Sequence, residues 1–352
     1  MSRISGAEEL NAYLRRVAGG SALIEAAAET LAEIAATGAK MSDLIGLGQL
    51  YGRLGAARGT ENSDGDAQKE LDVLANEMFV EALRRSPVRA VVSEEMKDVE
   101  VLDETAPVVV AMDPLDGSSN IDANVSIGTI FSVLPALAEA ASPEAHFRQP
   151  GHAQIAAGFV IYGPQTSIVF AIGDGPVEIF TLDRADGRFY HAATAGPIPA
   201  QTSEYAVNAS NYRHWEPTVR AFVEDCALGA DGPMKRNFNM RWVASLVAEA
   251  YRILLRGGIF LYPGDNRPGY ADGRLRLLYE GAPIAFLIER AGGMATEGVA
   301  PLLDVTAGSI HQRTPLVFGS ADPTRLAAAY RSDTRGSAER APLFGGRGLM
   351  RE

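Results

Sequence analysis

Residues 108–112 read Val-Val-Val-Ala-Met, and DPLDGSSNID follows at once at 113–122. An apolar run of that length, rich in branched side chains, forms a buried strand, so the chain must fold into layers able to cover one. Two carboxylates and a tight hydroxyl-bearing turn stand at the strand's end. Carboxylates there hold a hard cation, and exposed backbone amides beside them hold an anion such as phosphate. A metal-and-phosphate site is therefore the first hypothesis for the chain.

The flanking pattern is mixed. Leu23, Ala27, Leu31 and Ile34 share one face of a helix over 22–37, with Gly38 as its cap, and a second helix covers 41–54. A polar loop, 58–66, opens onto a third helix on which Leu71, Leu74, Met78 and Ala82 repeat at helical spacing. Strands at 88–95 and 107–114 both end in acids, and from 128 to 192 the pattern is strands, with a hairpin signal at Ala185-Asp186-Gly187. The proline-broken stretch 139–153 reads as a surface loop and 194–203 as a linker. Helices follow at 216–228, 241–255 and 274–291, the last ending at Gly292-Gly293, with a strand at 257–263. The expected organisation is a layered α/β protein with domains at 1–195 and 196–332 and a polar tail at 333–352. Its site lies where strands end, in the crevice at their carboxyl ends.

Charge narrows the partners. With 32 basic and 44 acidic residues the net charge is −12, which disfavours a nucleic-acid groove or an anionic membrane surface. Cys226 is the one cysteine, so no internal disulfide forms and a reducing compartment follows. The N-terminal residues lack the apolar core of a signal peptide, and no window reaches the roughly 18 apolar residues of a membrane span. A cytoplasmic protein is expected.

Asp113 and Asp116, with the Leu115 carbonyl between them, can face one cation at a strand end; a capped turn accounts for the same residues. Glu94 and Glu95 close the strand containing Val91-Val92, and adjacent acids near Asp113 are costly without a cation. Asp66 and Asp72 flank the third helix, where a helix dipole alone would favour them. Gly117, Ser118 and Ser119 offer successive amides to phosphate oxygens. In the second half Asn208, Arg241, Tyr262, Arg274, Arg276 and Glu280 stand out; Glu280, one turn beyond Arg276, is either a surface salt pair or a metal ligand beside a phosphate-binding arginine.

From about residue 10 to about 330 the chain resembles class I fructose-1,6-bisphosphatase. The resemblance rests on SEE at 93–95, DPLDGSSNID at 113–122, GGIFLYP at 257–263, LRLLYE at 275–280, AGGMAT at 291–296 and IHQR at 310–313. DPLDG alone marks only the wider lithium-sensitive phosphatase superfamily; GGIFLYP with LRLLYE is far more selective. The resemblance implies a five-layer α/β/α/β/α sandwich of two mixed-sheet domains, assembled as a homotetramer. It implies Mg2+-dependent hydrolysis of the 1-phosphate of fructose 1,6-bisphosphate, in gluconeogenesis or the Calvin cycle, with two or more ions per subunit and Mn2+ a substitute.

By the same resemblance Glu94, Asp113, the Leu115 carbonyl, Asp116 and Glu280 hold metal, while Asp66, Asp72 and Glu95 help bind it and activate water. Asp116, Gly117, Ser118, Ser119 and Arg276 hold the phosphate that leaves. Asn208, Tyr262, Arg274 and a neighbouring subunit's Arg241 hold the one that stays. Arg274 and Trp242 stand where the family usually has lysine and tyrosine. The Thr-Gly loop of AMP-inhibited members is absent, Pro107-Val108 replaces their Lys-Tyr pair and Pro135 an arginine, so AMP inhibition is not expected. A dual fructose/sedoheptulose bisphosphatase is the nearest competing reading; an inositol-monophosphatase-like enzyme and an inactive metal-binding scaffold follow.

Overall fold

The computed structural model describes residues 6–50, 57–61 and 67–332. Helices α1 (Leu10–Val17) and α2 (Ala22–Leu47) precede a short ribbon of β1 (Ala57–Glu61) and β2 (Ala67–Lys69), which leads into α3 (Glu70–Leu83). Then come β3 (Val88–Ser93), β4 (Glu100–Val101), β5 (Val108–Asp116), β6 (Ile127–Pro135), β7 (Ala156–Tyr162), β8 (Thr166–Ile172), β9 (Val177–Asp183) and β10 (Arg188–Ala195). These eight form one sheet in the order β10-β9-β8-β7-β6-β5-β3-β4, antiparallel except for the β3/β5 pair. The second half supplies β11 (Glu204–Val207), α4 (Pro217–Leu228), β12 (Asn239–Met240), α5 (Leu246–Arg256), β13 (Ile259–Tyr262), β14 (Leu275–Arg276), α6 (Ala282–Arg290), β15 (Met294–Thr296), β16 (Arg313–Thr314), β17 (Leu316–Gly319) and α7 (Ala321–Ser332). Five of its strands make a second mixed sheet, β12-β11-β13-β17-β15, and β14 pairs with β16.

The hydrophobic cores define the layers. Val108, Val110 and Met112 of β5 pack with Leu31, Ile34 and Phe79 of α2 and α3, whereas Val109 and Ala111 point the other way, into a core shared with α5 and α6. With both faces covered, every second residue need not be polar, and β5 is apolar throughout its first five positions. Helix α6 is buried all round for the same reason, because it lies between the two sheets. The far face of the second sheet carries Tyr205, Val207 and Ile259 against Trp215 and Phe222 near and on α4, with Ala327 of α7. The order is therefore α/β/α/β/α, the expected five layers.

Several expected boundaries move. The helix over 22–37 does not stop at Gly38: α2 runs on to Leu47 and absorbs the first part of the expected 41–54 helix, whose end lies outside the described residues. Gly38 is buried, and a Cβ there would come 3.2 Å from Val160, so glycine permits a close approach to β7 instead of capping. Ala27, Leu31 and Ile34 are fully buried as expected, but Leu23 is exposed. The buried stripe of α3 is Leu71, Ala75, Phe79 and Ala82, so Leu74 and Met78 fall at its edge. Within the expected loop 58–66, residues 58–61 belong to β1. Residues 139–153 are not wholly superficial, because Phe147 and Gly151 are buried within single turns. The expected 241–255 helix begins at Leu246. Ahead of it, Arg241 donates its backbone N–H to the Tyr205 carbonyl as an extension of the sheet, and Ala244 takes a left-handed φ of 61°. Likewise 274–276 is not helical, since Leu275 and Arg276 pair with Thr314 and Arg313.

Candidate active site

Side chains three apart on a regular strand point to opposite faces. The β5/β6 ladder escapes this: Asp113 pairs with Ile130 but Asp116 with Gly128, so β5 carries one extra residue between them. That bulge turns both aspartates to the same side. Pro114 occupies it, needs no donor there, and its carbonyl accepts the Thr129 hydroxyl at 2.9 Å. Gly117, at φ 77°, then reverses the chain into two turns of 3-10 helix over Ser118–Ala123.

Glu280 comes from a turn of π-helix, Leu277–Gly281, at the entry to α6, and one carboxylate oxygen each from Asp113, Asp116 and Glu280 lie within 4.8 Å of one another. All three residues are buried. Asp113 accepts the Leu115 N–H at 2.9 Å. Asp116 accepts the Val247 N–H at 3.0 Å in the first turn of α5, where the helix dipole favours an anion, and the Ser245 hydroxyl lies at 3.5 Å. Glu280 accepts the Arg276 N–H at 2.6 Å, with the Arg276 guanidinium at 3.7 Å. The same guanidinium forms an ion pair with Glu94 at 2.6 Å.

One guanidinium among four carboxylates leaves the cluster strongly negative. Burial first, then Glu94, Glu280 and Asp116, hold Asp113 well above the usual carboxylate range. Burial also raises Asp116 to about 6 and Glu280 to about 8, the latter despite Arg276. Hard oxygen donors, converging and short of positive charge, are what a divalent cation of the magnesium or calcium type requires. The residues present therefore fit such a metal.

The remaining expected residues are placed as follows. Asp72 is buried in the first turn of α3, and Asp66 lies outside the described residues. Glu95 is half-buried just past β3, its backbone N–H on the Ser93 hydroxyl at 3.2 Å. Glu94, Asp72 and Glu95 do not belong to the three-carboxylate group. Ser118 is half-buried and Ser119 exposed on the turn after Gly117.

Asn208, Tyr262 and Arg274 line one cleft, at the carboxyl ends of β11 and β13. Arg241 does not line it; it is half-exposed, with Nε 3.4 Å from Glu204. Trp242 does not line the cleft either; it stacks on Phe260 and on Tyr262, which does, with ring centroids 5.9 and 6.2 Å apart. Burial raises the Tyr262 phenol; Arg274 opposes the rise and Glu280 adds to it, so the cleft and the acidic cluster adjoin at this ring.

Sequence reasoning missed part of the cleft. Arg267 also lines it, held by Asp265 and by the Asn211 side chain at 3.1 Å, and both Arg267 and Arg274 lie over the Tyr270 ring, 4.2 and 5.2 Å from its centroid. A second omission had a visible sign, the string IHQR. His311 Nε2 lies 3.2 Å from the Lys97 carbonyl, which can only accept, so Nδ1 accepts the Tyr279 hydroxyl at 2.9 Å. That bridge ties the turn after Glu94 and Glu95 to the residue before Glu280.

The sequence model described as Fructose-1-6-bisphosphatase, N-terminal domain, matches residues 27–194, and that described as Fructose-1-6-bisphosphatase, C-terminal domain, matches 198–331. The chain is 53% identical over 342 residues to a class 1 fructose-1,6-bisphosphatase of Rhodopseudomonas palustris, covering 97% of this chain and 98% of that one. It is 54% identical over 324 residues to a class 1 fructose-1,6-bisphosphatase of Methylorubrum extorquens, with 92% of each chain covered. The fold superposes on the crystal structure of Leishmania major fructose-1,6-bisphosphatase in holo form with a TM-score of 0.85 at 32% identity, over 93% of this chain and 99% of that one.

Proposed function

The chain belongs to the fructose-1,6-bisphosphatase family, and on that premise we propose how its own residues hydrolyse the 1-phosphate of D-fructose 1,6-bisphosphate to fructose 6-phosphate and phosphate. The observation that carries the reading is the convergence of Asp113, Asp116 and Glu280 beside a cleft lined by Arg267 and Arg274. Family membership implies a divalent metal; we assign it as magnesium, two or more ions per subunit with manganese able to substitute. Its ligands in this reading are Glu94, Asp113, the Leu115 carbonyl, Asp116 and Glu280. Bound there, the metal supplies positive charge to the phosphoryl oxygens and lowers the pKa of an attacking water.

The chain's own groups do the positioning that phosphoryl transfer chiefly needs. Gly117, Ser118 and Ser119 present amides and hydroxyls to the phosphate that leaves, with Asp116 anchoring their turn, and Arg276 turns its guanidinium toward the same anion. Asp66, Asp72 and Glu95 take up the proton of the attacking water and complete the acidic lining. Asn208, Tyr262 and Arg274, with Arg241 of a neighbouring subunit, grip the 6-phosphate, so that binding energy from the far end of the substrate is used at the reacting end. The same proposal includes domains divided at 195/196, a homotetramer and residence in the cytoplasm.

Phosphate release from fructose 1,6-bisphosphate, sedoheptulose 1,7-bisphosphate and inositol monophosphate, with magnesium and with chelator, tests the reading. Release from the fructose ester that stops with chelator supports it. Turnover of inositol monophosphate alone contradicts it, and comparable turnover of both ketose bisphosphates establishes the dual enzyme.

A further inference from the structure

Glu249 is buried to 0% exposure in the first turns of α5, and the chemistry described so far gives it nothing to do. A carboxylate so placed is costly unless each oxygen is paired. Here both are. Oε1 accepts the Val243 N–H at 2.8 Å, and Oε2 accepts Arg252 Nε at 3.2 Å and Nη2 at 2.8 Å. Arg252 in turn donates Nη1 to Glu204 Oε2 at 2.7 Å, and Glu204 Oε1 lies 3.4 Å from Arg241 Nε. Side-chain exposure along this alternating series rises from 0% at Glu249 through 11% and 19% to 52% at Arg241, so it runs from the core to the surface.

The same carboxylate fixes the backbone between those ends. Val243 precedes Ala244, a residue with a Cβ held at φ 61°, a conformation that persists only where neighbours impose it. Beyond it Ser245 caps α5 and the Asn120 side chain donates to the Ala244 carbonyl at 2.9 Å. Ahead of Val243, Trp242 stacks on Tyr262 of the cleft.

We propose that Glu249 is a positioning residue for substrate specificity: through Val243 it sets the 241–245 backbone, and through Arg252 and Glu204 it aims the Arg241 guanidinium, so that the enzyme prefers a sugar bearing a second, distal phosphate. This rests on the reading that Arg241 contacts the phosphate that stays in a neighbouring subunit's cleft. Glu249 bonds Val243 and Arg252 and not the Val247 N–H that Asp116 accepts, so the expected effect falls on binding the distal phosphate and not on the reacting one.

The test is Glu249→Gln, which preserves shape, assayed at saturating magnesium for kcat and KM on fructose 1,6-bisphosphate and on fructose 1-phosphate. The expected result is a loss of about tenfold or more in preference for the bisphosphate, carried by KM, as for loss of one charge-assisted contact. Arg241→Ala should show a similar loss, and the double variant no further loss, because the two residues act in series. Glu204→Gln, at the half-buried link next to Arg241, should give the same loss and serves if Glu249→Gln does not fold. Unchanged preference in both Gln variants while Arg241→Ala lowers it refutes the role of Glu249 alone. Equal losses on both substrates, or additive losses in the double variant, also overturn the proposal. Unchanged preference in Arg241→Ala refutes the assignment of Arg241 and removes the proposal's premise.

Discussion

Replacing Asp113 by Asn should stabilise the metal-free protein while removing its activity. Asp113 is fully enclosed, and its carboxylate lies within 4.8 Å of oxygens from Asp116 and Glu280. Two like charges at that distance repel by roughly 3–4 kcal/mol at an effective dielectric of about 20. Arg276 offsets part of this through Glu94 and Glu280, and partial protonation relieves more, which leaves about 2 kcal/mol for the substitution to release. Asn keeps the side-chain shape and the oxygen that accepts the Leu115 N–H, so no new unpaired group is created. For a 352-residue chain the gain corresponds to a rise of roughly 3 °C in midpoint. Calorimetry in chelator at pH 8 reads it directly. The same scans with magnesium should raise the native protein by about 2.7 kcal/mol at a hundredfold excess over Kd and leave the variant unmoved. A variant that melts below the native protein in chelator, or one that magnesium stabilises equally, refutes the reasoning.

Three further outcomes are expected. Asp116 and Glu280 have folded pKa values raised to about 6 and about 8 from 3.8 and 4.5, so their protonated forms favour folding at low pH and that support is lost as pH rises through those values; the chelated protein should lose stability between pH 4.5 and 8, and a flat melting profile over that window would contradict this. Gly128→Ala should lower the urea midpoint by the equivalent of about 1–3 kcal/mol, because a Cβ there would lie 2.4 Å from the Val160 carbonyl oxygen and 2.6 Å from Val247, on the helix turn that holds Asp116; an unchanged midpoint would show that β6 yields freely. Micromolar AMP should not inhibit: Val108 pairs with Pro135 and the Pro107 carbonyl accepts Ala136 N–H, leaving no cationic or hydroxyl side chain at these positions, and potent inhibition in a steady-state assay would refute this.

The sequence exposed what repeats locally and hid what forms between distant segments. The apolar run ending in Asp113 was readable because a strand covered on both faces carries no alternation to blur it. The partnership of Asp113 with Asp116 was readable as an association of types, but its cause was not, since the bulge exists only against Gly128 and Ile130 of β6. Arg276 and Glu280 do meet, yet not on one helix: Arg276 is extended because it pairs with Arg313, and no helical periodicity foretells a two-residue ladder closed across 37 positions (276 to 313). Gly38 illustrates the opposite error. A glycine near the end of an amphipathic stretch reads as a cap, whereas here β7 demands its small size in mid-helix. Arg267 and Tyr270 escaped notice because their placement in the cleft depends on Asp265 and Asn211, which no local pattern connects.

The central claim is that acids far apart in the chain act together through a divalent cation on a phosphate ester. The most direct measurement is the initial rate of phosphate release from fructose 1,6-bisphosphate against free magnesium, for the native protein and for Asp113→Asn. The account predicts no release in chelator, a saturable rise with magnesium in the native protein, and no rise in the variant at any concentration. Release that persists in chelator, or a variant that responds to magnesium as the native protein does, would contradict it.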